Sequence, residues 1–193
     1  MRGIFITPTI SSRPKKSIPI LSAIWFNRLM SIHFLNGFSK HLPWPSYQGI
    51  GGVCLLTETN DGLLLVDTGL GLHDYENPTR MMRDFMKVLH AVRDPEIAVV
   101  RQLARLGYKP EDVRHIVLTH LHLDHAGGLP DFPQARVHLF QREYQALGHP
   151  RKLLELPYNK THFAHGPLWE LHELRGERWY DFDAVRIPGI QPE

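Results

Sequence analysis

The sequence predicts a layered α/β protein, and three observations carry that expectation. Short leucine-rich or β-branched runs alternate with stretches at helical spacing. Glycine and proline punctuate the joins between them. Two of the apolar runs end abruptly in side chains that carry chemistry, one in an aspartate and one in a cluster of histidines.

The elements follow in order. "GVCLLTETNDGLLLVDTG", from Gly52, predicts two strands joined by a tight hairpin at Asn60-Asp61-Gly62. The second strand, Leu63 to Val66, stops at Asp67-Thr68-Gly69, and a carboxylate at the end of a buried strand marks a nearby site. Residues 79–93 place Met82, Phe85, Met86, Leu89 and Val92 on one helical face, with the methionines as core filler. Asp94-Pro95-Glu96 supplies a cap, a first-turn proline and a first-turn acid, so a second helix is expected there. Its apolar face would run through Ile97, Val100, Ala104 and Leu106, and Gly107 would end it. "HIVLT" predicts a buried strand leading into "THLHLDHAGG", residues 119–128. "ARVHLF" predicts a further strand, "QREYQALG" a short helix, and "RWYDFDAV" another strand. Residues 149–178 hold His149, His162, His165 and His172 without clear periodicity, which fits a functional loop or a pair of short helices.

Composition narrows the function. A single cysteine, Cys54, excludes an internal disulfide framework, so nothing asks for an oxidising compartment and a cytoplasmic setting is expected. Residues 1–57 contain no acid and six of the 22 basic residues, leaving 16 basic against all 20 acidic residues in the remainder. That acidic body argues against a nucleic-acid surface. The basic segment 1–29 is expected to be an extension, disordered or not native, with Met30 as the start of the domain proper. Its best apolar run, "IPILSAIWF", is too short to cross a membrane.

The histidine cluster carries the functional argument. Strand alternation would tend to point His120, His122 and Asp124 the same way as the backbone leaves the strand, and His125 breaks it. Two imidazoles facing one point and a carboxylate–imidazole pair facing another would divide the loop between two metal ions. Imidazole suits zinc and similar ions, and a carboxylate adds a hard ligand and neutralises charge. Crowded imidazoles without such a partner would repel one another once protonated. His33, His41, His90 and His115 are expected to be ordinary surface or hydrogen-bonded core histidines.

"HLHLDH" has the form H-x-H-x-D-H, which resembles the metal-binding motif of the metallo-β-lactamase superfamily. "LLLVDTG" resembles that family's earlier strand-end Asp-Thr-Gly, and "IVLTH" its lead-in strand, so the resemblance runs from about Ile50 to Ala146. It implies the αββα four-layer sandwich of that family, with residues 30–193 supplying mainly the N-terminal βα half. It implies His120 and His122 as ligands of one metal, Asp124 and His125 as ligands of a second, and Asp67 as a residue behind them that fixes their geometry. The implied cofactors are two divalent ions, zinc first. The implied reaction is attack of a metal-held hydroxide on an ester, lactone or thioester of a small-molecule substrate. Asp124 would orient the hydroxide or pass a proton to the leaving group, which makes it the catalytic residue.

Departures from the family narrow the branch. His125 replaces the non-histidine residue of many zinc β-lactamases, and His122 is not the Glu of the flavodiiron branch. "DHAGGLPDFPQARV" is similar to lactonase-like and general hydrolase members. The family's third histidine, bridging aspartate and C-terminal histidine have no visible counterparts, and His138, His162 and His165 read as surface or loop histidines. A truncated hydrolase is therefore expected, holding metal weakly and exposing a sheet face open to homo-oligomers; the alternative is a non-catalytic metal- or partner-binding fragment. Trp44, Tyr47, Tyr158, Trp169 and Trp179 are candidates for a pocket lining.

Overall fold

The computed structural model describes residues 4–5, 31–41, 48–148, 158–187 and 190. Apart from Ile4–Phe5, the extension expected over residues 1–29 lies outside them, as do Trp44, Tyr47 and His149.

Six strands form one sheet, in the order β2-β3-β4-β5-β6-β7. Strands β2 (Ile32–His41), β3 (Gln48–Thr59) and β4 (Gly62–Val66) run antiparallel. Strands β5 (Val113–Val117), β6 (Arg136–Phe140) and β7 (Leu168–His172) continue from β4 in parallel. The hairpin turn sits where Asn60-Asp61-Gly62 places it. Gly62 adopts φ +109°, and Thr59 Oγ1 donates to the Gly62 carbonyl at 2.7 Å. Parallel strands need crossovers. Helices α1 (Leu72–Glu76), α2 (Arg80–Val88) and α3 (Val99–Arg105) lie between β4 and β5, α4 (Leu123–Ala126) between β5 and β6, and α5 (Gln141–Ala146) between β6 and β7. Outside this sheet, β1 (Ile4–Phe5) pairs with β10 (Arg186–Ile187).

Four expectations need correction. Helix α2 stops at Val88, because His90 turns to φ +53° and the Val92 amide bonds the Ser39 carbonyl of β2 at 2.8 Å. Asp94 caps a 3-10 turn, Pro95–Ile97, and not an α-helix; Ala98 is extended, and α3 begins at Val99. The buried face of α3 is therefore Val99 and Leu103, with Leu106 exposed. Within the stretch expected to be a loop or short helices, β7 pairs with β6 along five residues; it is an edge strand with mostly exposed side chains, so it leaves no hydrophobic period. "RWYDFDAV" holds two two-residue strands, β8 (Arg178–Trp179) and β9 (Phe182–Asp183), folded back at Tyr180, whose φ is +54°.

The main core lies on the helical side of the sheet. Leu56, Leu65, Leu103, Ile116, Leu121, Leu129, Phe132 and Leu139 fill it. Met82, Phe85 and Met86 pack with Phe38 and Leu123 in a second cluster, as core residues. On the opposite face, among the described residues, Leu64, Val117, Ile187 and Ile190 form a small buried apolar cluster, and Ile32, Phe34, Val53 and Leu168 are exposed.

That opposite face also carries a row of imidazoles. His115 Nε2 meets Asp61 Oδ2 at 3.0 Å, His115 Nδ1 meets His138 Nε2 at 3.0 Å, and His138 Nδ1 meets His172 Nε2 at 3.0 Å. Successive rings stack with centroids 5.2 Å apart. His115 is thus the hydrogen-bonded core histidine expected. His138, expected at the surface, is only 4% exposed, because its strand is internal to the sheet.

Candidate metal centre

The sheet delivers two strand ends to one place. Strands β4 and β5 pair in parallel, so Asp67 and Thr119, just beyond their C-terminal ends, emerge side by side. Asp67 takes φ +56°, a left-handed turn that aspartate tolerates better than most residues, and it aims its carboxylate across at the histidine loop. Asp67 Oδ1 accepts the Thr119 amide at 2.8 Å, and Oδ2 accepts the Thr119 hydroxyl at 2.8 Å and His125 Nδ1–H at 2.8 Å.

The loop itself departs from simple alternation. Strand β5 ends at Val117, and His122 caps the single turn of α4, which carries Asp124 and His125. The rings of His120, His122 and His125 therefore gather into one cluster. The His120 centroid lies 4.4 Å from that of His122 and 4.0 Å from that of His125. Asp124 Oδ2 is 3.6 Å from His125 Nε2. All four predicted ligand residues are brought together, with Asp67 behind them.

Hydrogen bonding selects the free nitrogens. Thr119 has one hydroxyl proton, which it gives to Asp67, so its oxygen accepts from His120 Nδ1 at 3.0 Å. His125 Nδ1 likewise gives its proton to Asp67. In the neutral form each ring then presents an Nε2 lone pair, the form an imidazole needs to bind a metal. Burial, then the nearby His125 and His122, push the pKa of His120 down and keep it neutral. Burial also opposes charge on His125, but the hydrogen bond and charge of Asp67, with the charge of Asp124, outweigh it and raise its pKa.

The donor set fits a divalent ion such as zinc in type: neutral imidazoles, one carboxylate, and a carboxylate behind that fixes a tautomer. In number the set is smaller than a closed shell. Among the described residues no group of three or more such side chains is arranged to hold an ion by itself.

Sequence reasoning passed over three contributors. Thr119 stands inside the motif and orients Asp67 and His120 together; its hydroxyl beside a histidine was the available signal. Glu143, from α5, accepts the Leu121 amide at 3.2 Å and the Tyr158 hydroxyl at 2.9 Å, placing Tyr158 with its ring 6.1 Å from that of His122. His162, expected in a surface loop, is 2% exposed and lies 2.9 Å from Asp74; His165 is exposed. Of the other aromatic candidates, Trp169 packs on the main core with Phe163, and Trp179 is partly exposed against Tyr180. A cavity of about 920 Å³ opens beside the centre, bordered by Thr119, His138, Phe140, His172 and Phe182.

The chain is similar to several known proteins. A probable metallo-hydrolase of Mycobacterium tuberculosis is 43% identical over 141 residues, covering 72% of this chain and 45% of that protein. An N-acyl homoserine lactonase of Bacillus cereus is 36% identical over 104 residues, covering 53% of this chain and 41% of that protein. One solved structure, an N-acyl homoserine lactone hydrolase with N-hexanoyl-L-homoserine bound at its catalytic metal center, is similar with a TM-score of 0.54. It is 27% identical over 74% of this chain and 59% of that one. The chain spans less than half the length of the curated relatives it matches. Residues 48–188, the greater part of the chain, match the metallo-beta-lactamase superfamily, and the chain belongs to it.

Proposed function

We propose that this chain carries metal-binding residues of a hydrolase that opens an ester, lactone or thioester bond in a small molecule, with a lactone as the first candidate. The observation that carries the proposal is the convergence of His120, His122, Asp124 and His125 on one loop, with Asp67 and Thr119 setting the tautomers of two of them. The names of the relatives support a hydrolase, and those of the lactonases favour a cyclic ester.

His120 and His122 would hold one divalent ion, and Asp124 and His125 a second. Bound there, zinc would supply Lewis acidity for the carbonyl and lower the pKa of water. The chain's own groups do the rest. Asp67 keeps the His125 Nδ1 proton and so presents Nε2. Thr119 does the same for His120. Asp124, partly exposed at the cluster's edge, can hold a proton and return it to the leaving group. The cavity that Thr119 borders is the space available for the body of a substrate.

The same reading assigns residues 30–193 to the N-terminal part of the hydrolase domain, with 1–29 as an extension. It also carries a cytoplasmic setting and self-association through the exposed sheet face. No helix among the described residues is long and apolar enough to cross a membrane.

The test is hydrolysis of lactone, thioester and phosphodiester model substrates by the purified chain, with and without added zinc, and with His120→Ala as control. Zinc-dependent lactone or thioester cleavage that the substitution removes is the expected result. Cleavage indifferent to zinc and to His120, or confined to the phosphodiester, overturns the proposal.

A further inference from the structure

A buried polar trio lies behind the histidine loop, and the chemistry above gives it no task. Asp74, in α1, is 1% exposed, His162 is 2% exposed and Asn159 is 3% exposed. In the tautomer with a proton on Nε2, His162 donates to Asp74 Oδ1 at 2.9 Å, and Asn159 Nδ2, itself a donor, only abuts the same nitrogen at 3.0 Å. Asn159 Oδ1 accepts the Thr161 amide and hydroxyl at 3.2 and 2.8 Å, which turns Nδ2 toward the ring. His162 Nδ1 is buried and, among the described residues, has no hydrogen-bond partner. An orphaned ring nitrogen is unfavourable, and a phenylalanine filling the same space would avoid it. The ring's other nitrogen is the one that makes a hydrogen bond.

That nitrogen controls Asp74, and Asp74 abuts the metal loop. Asp74 Oδ2 accepts the Gly71 amide at 3.1 Å, and it lies where a Cβ on Gly127 would come within 2.7 Å. Gly127 is two residues past His125. The neighbouring backbone is laced to the same stretch. The Thr68 amide and hydroxyl both donate to the His125 carbonyl at 2.8 Å, and the Gly128 amide donates to the Gly69 carbonyl at 3.1 Å. Asp131 Oδ2 accepts the Leu72 amide at 2.9 Å. Asp67 thus holds the ring of His125 from one side of the loop, and Asp74 packs against the loop at Gly127 from the other. A buried carboxylate keeps one orientation only when both oxygens are satisfied. The donor for Oδ1 is His162, and Oδ2 is thereby left against Gly71 and Gly127.

We propose that His162, acting through Asp74, is a positioning residue for the loop that carries Asp124 and His125; the proposal rests on the metal centre inferred above. Its group is Nε2–H, not the bulk of the ring. A glutamine can place an amide N–H at the same point, whereas a phenylalanine keeps only the bulk.

The experiment is amide hydrogen exchange on the full metal-free chain and on His162→Phe, His162→Gln and Asp74→Asn, with cobalt(II) titration of each. In His162→Phe the Thr68 and Gly128 amides should exchange about tenfold faster or more, as expected for loss of a hydrogen bond to a charged group. Ile116 and Val137, in β5 and β6, should keep their protection. His162→Gln should restore Thr68 and Gly128 to within about threefold of wild type, by retaining that bond. Asp74→Asn, which keeps the volume, should quicken the same amides and decides the matter if His162→Phe does not fold. Cobalt affinity should fall roughly ten- to a hundredfold in His162→Phe and recover in His162→Gln. Unchanged protection in His162→Phe, failure of the glutamine to rescue, or a loss spread evenly over the sheet overturns the proposal. A wild-type chain that takes up no cobalt refutes the proposed metal centre, while the exchange pattern still decides the positioning role.

Discussion

Replacing His138 with leucine should flatten the acid limb of the protein's stability profile. Burial first, then the charges of His115, His172 and Arg136, push the pKa of His138 from 6.5 down to about 3. The unfolded chain therefore takes up a proton on this residue before the folded one does. A depressed folded pKa means that the stabilisation is fully present above pH 6.5 and is lost as the pH falls toward 3. One proton corresponds to about 1.4 kcal/mol per pH unit, so the loss between about pH 6.5 and 4.5 approaches ~2.7 kcal/mol. Solvent reaches the half-buried His172 end of the row, and screening there reduces the figure to roughly 1.5–2.5 kcal/mol.

At neutral pH the substitution has the opposite sign. It strips the partners from His115 Nδ1 and His172 Nε2, which costs about 1–3 kcal/mol. The leucine protein should thus be the less stable one at about pH 7.5, and the gap should close or reverse by about pH 4.5. Urea unfolding of both proteins across that range measures it, and the histidines outside the row, common to both, cancel in the difference. A gap that stays constant or widens as the pH falls would refute the reasoning, since it would mean that His138 is not held neutral by the fold.

Three further outcomes are expected. Asp67→Asn removes the carboxylate that takes the His125 Nδ1 proton, and cobalt(II) titration should show divalent-ion affinity reduced by about ten- to a hundredfold. Gly127→Ala would drive a Cβ to within 2.7 Å of both Asp74 Oδ2 and the Leu123 carbonyl. Overpacking of this kind should destabilise by about 1–3 kcal/mol in thermal melts, and an unchanged midpoint would show the loop to be looser than drawn. Leu65→Ala, at a fully buried position in β4, should cost about 2–5 kcal/mol in urea unfolding, while Leu168→Ala, on the exposed face of β7, should stay within about 0.5 kcal/mol.

The parts of the site that sequence reading reached are those whose chemistry is local. H-x-H-x-D-H places four donors within six residues, so no tertiary fold is needed to bring His120, His122, Asp124 and His125 near one another. Asp67 was legible for a different reason: an aspartate ending a leucine run has no packing role, so its position asks for another explanation. Even there strand alternation does not run through the loop, because the strand stops at Val117 and His122 opens a helical turn. The hidden contributors are long-range. His162 reaches Asp74 across 88 positions, and His138 meets His115 across 23 and His172 across 34. The imidazole row follows from the order of strands in the sheet and the Asp74 pair from how a helix and a turn pack beside it, neither of which hydrophobic periodicity encodes. A lone histidine in an irregular stretch has the same appearance whether it faces solvent or holds a buried carboxylate.

The consequence concerns how the donors acquire function. Three imidazoles with centroids 4.0 and 4.4 Å apart repel when protonated, so the cluster is useful only if something outside it fixes which nitrogens carry protons. Thr119 and Asp67 do this for His120 and His125, and Asp67 can serve both only because β4 and β5 are adjacent and parallel. The parallel pairing is in turn secured on the helical side by Leu65 and Ile116. A substitution at either core position should therefore disturb the tautomers of the loop as well as global stability. A surface change such as Leu168→Ala should do neither. The motif supplies the ligating atoms, and the sheet determines whether their lone pairs are free to bind.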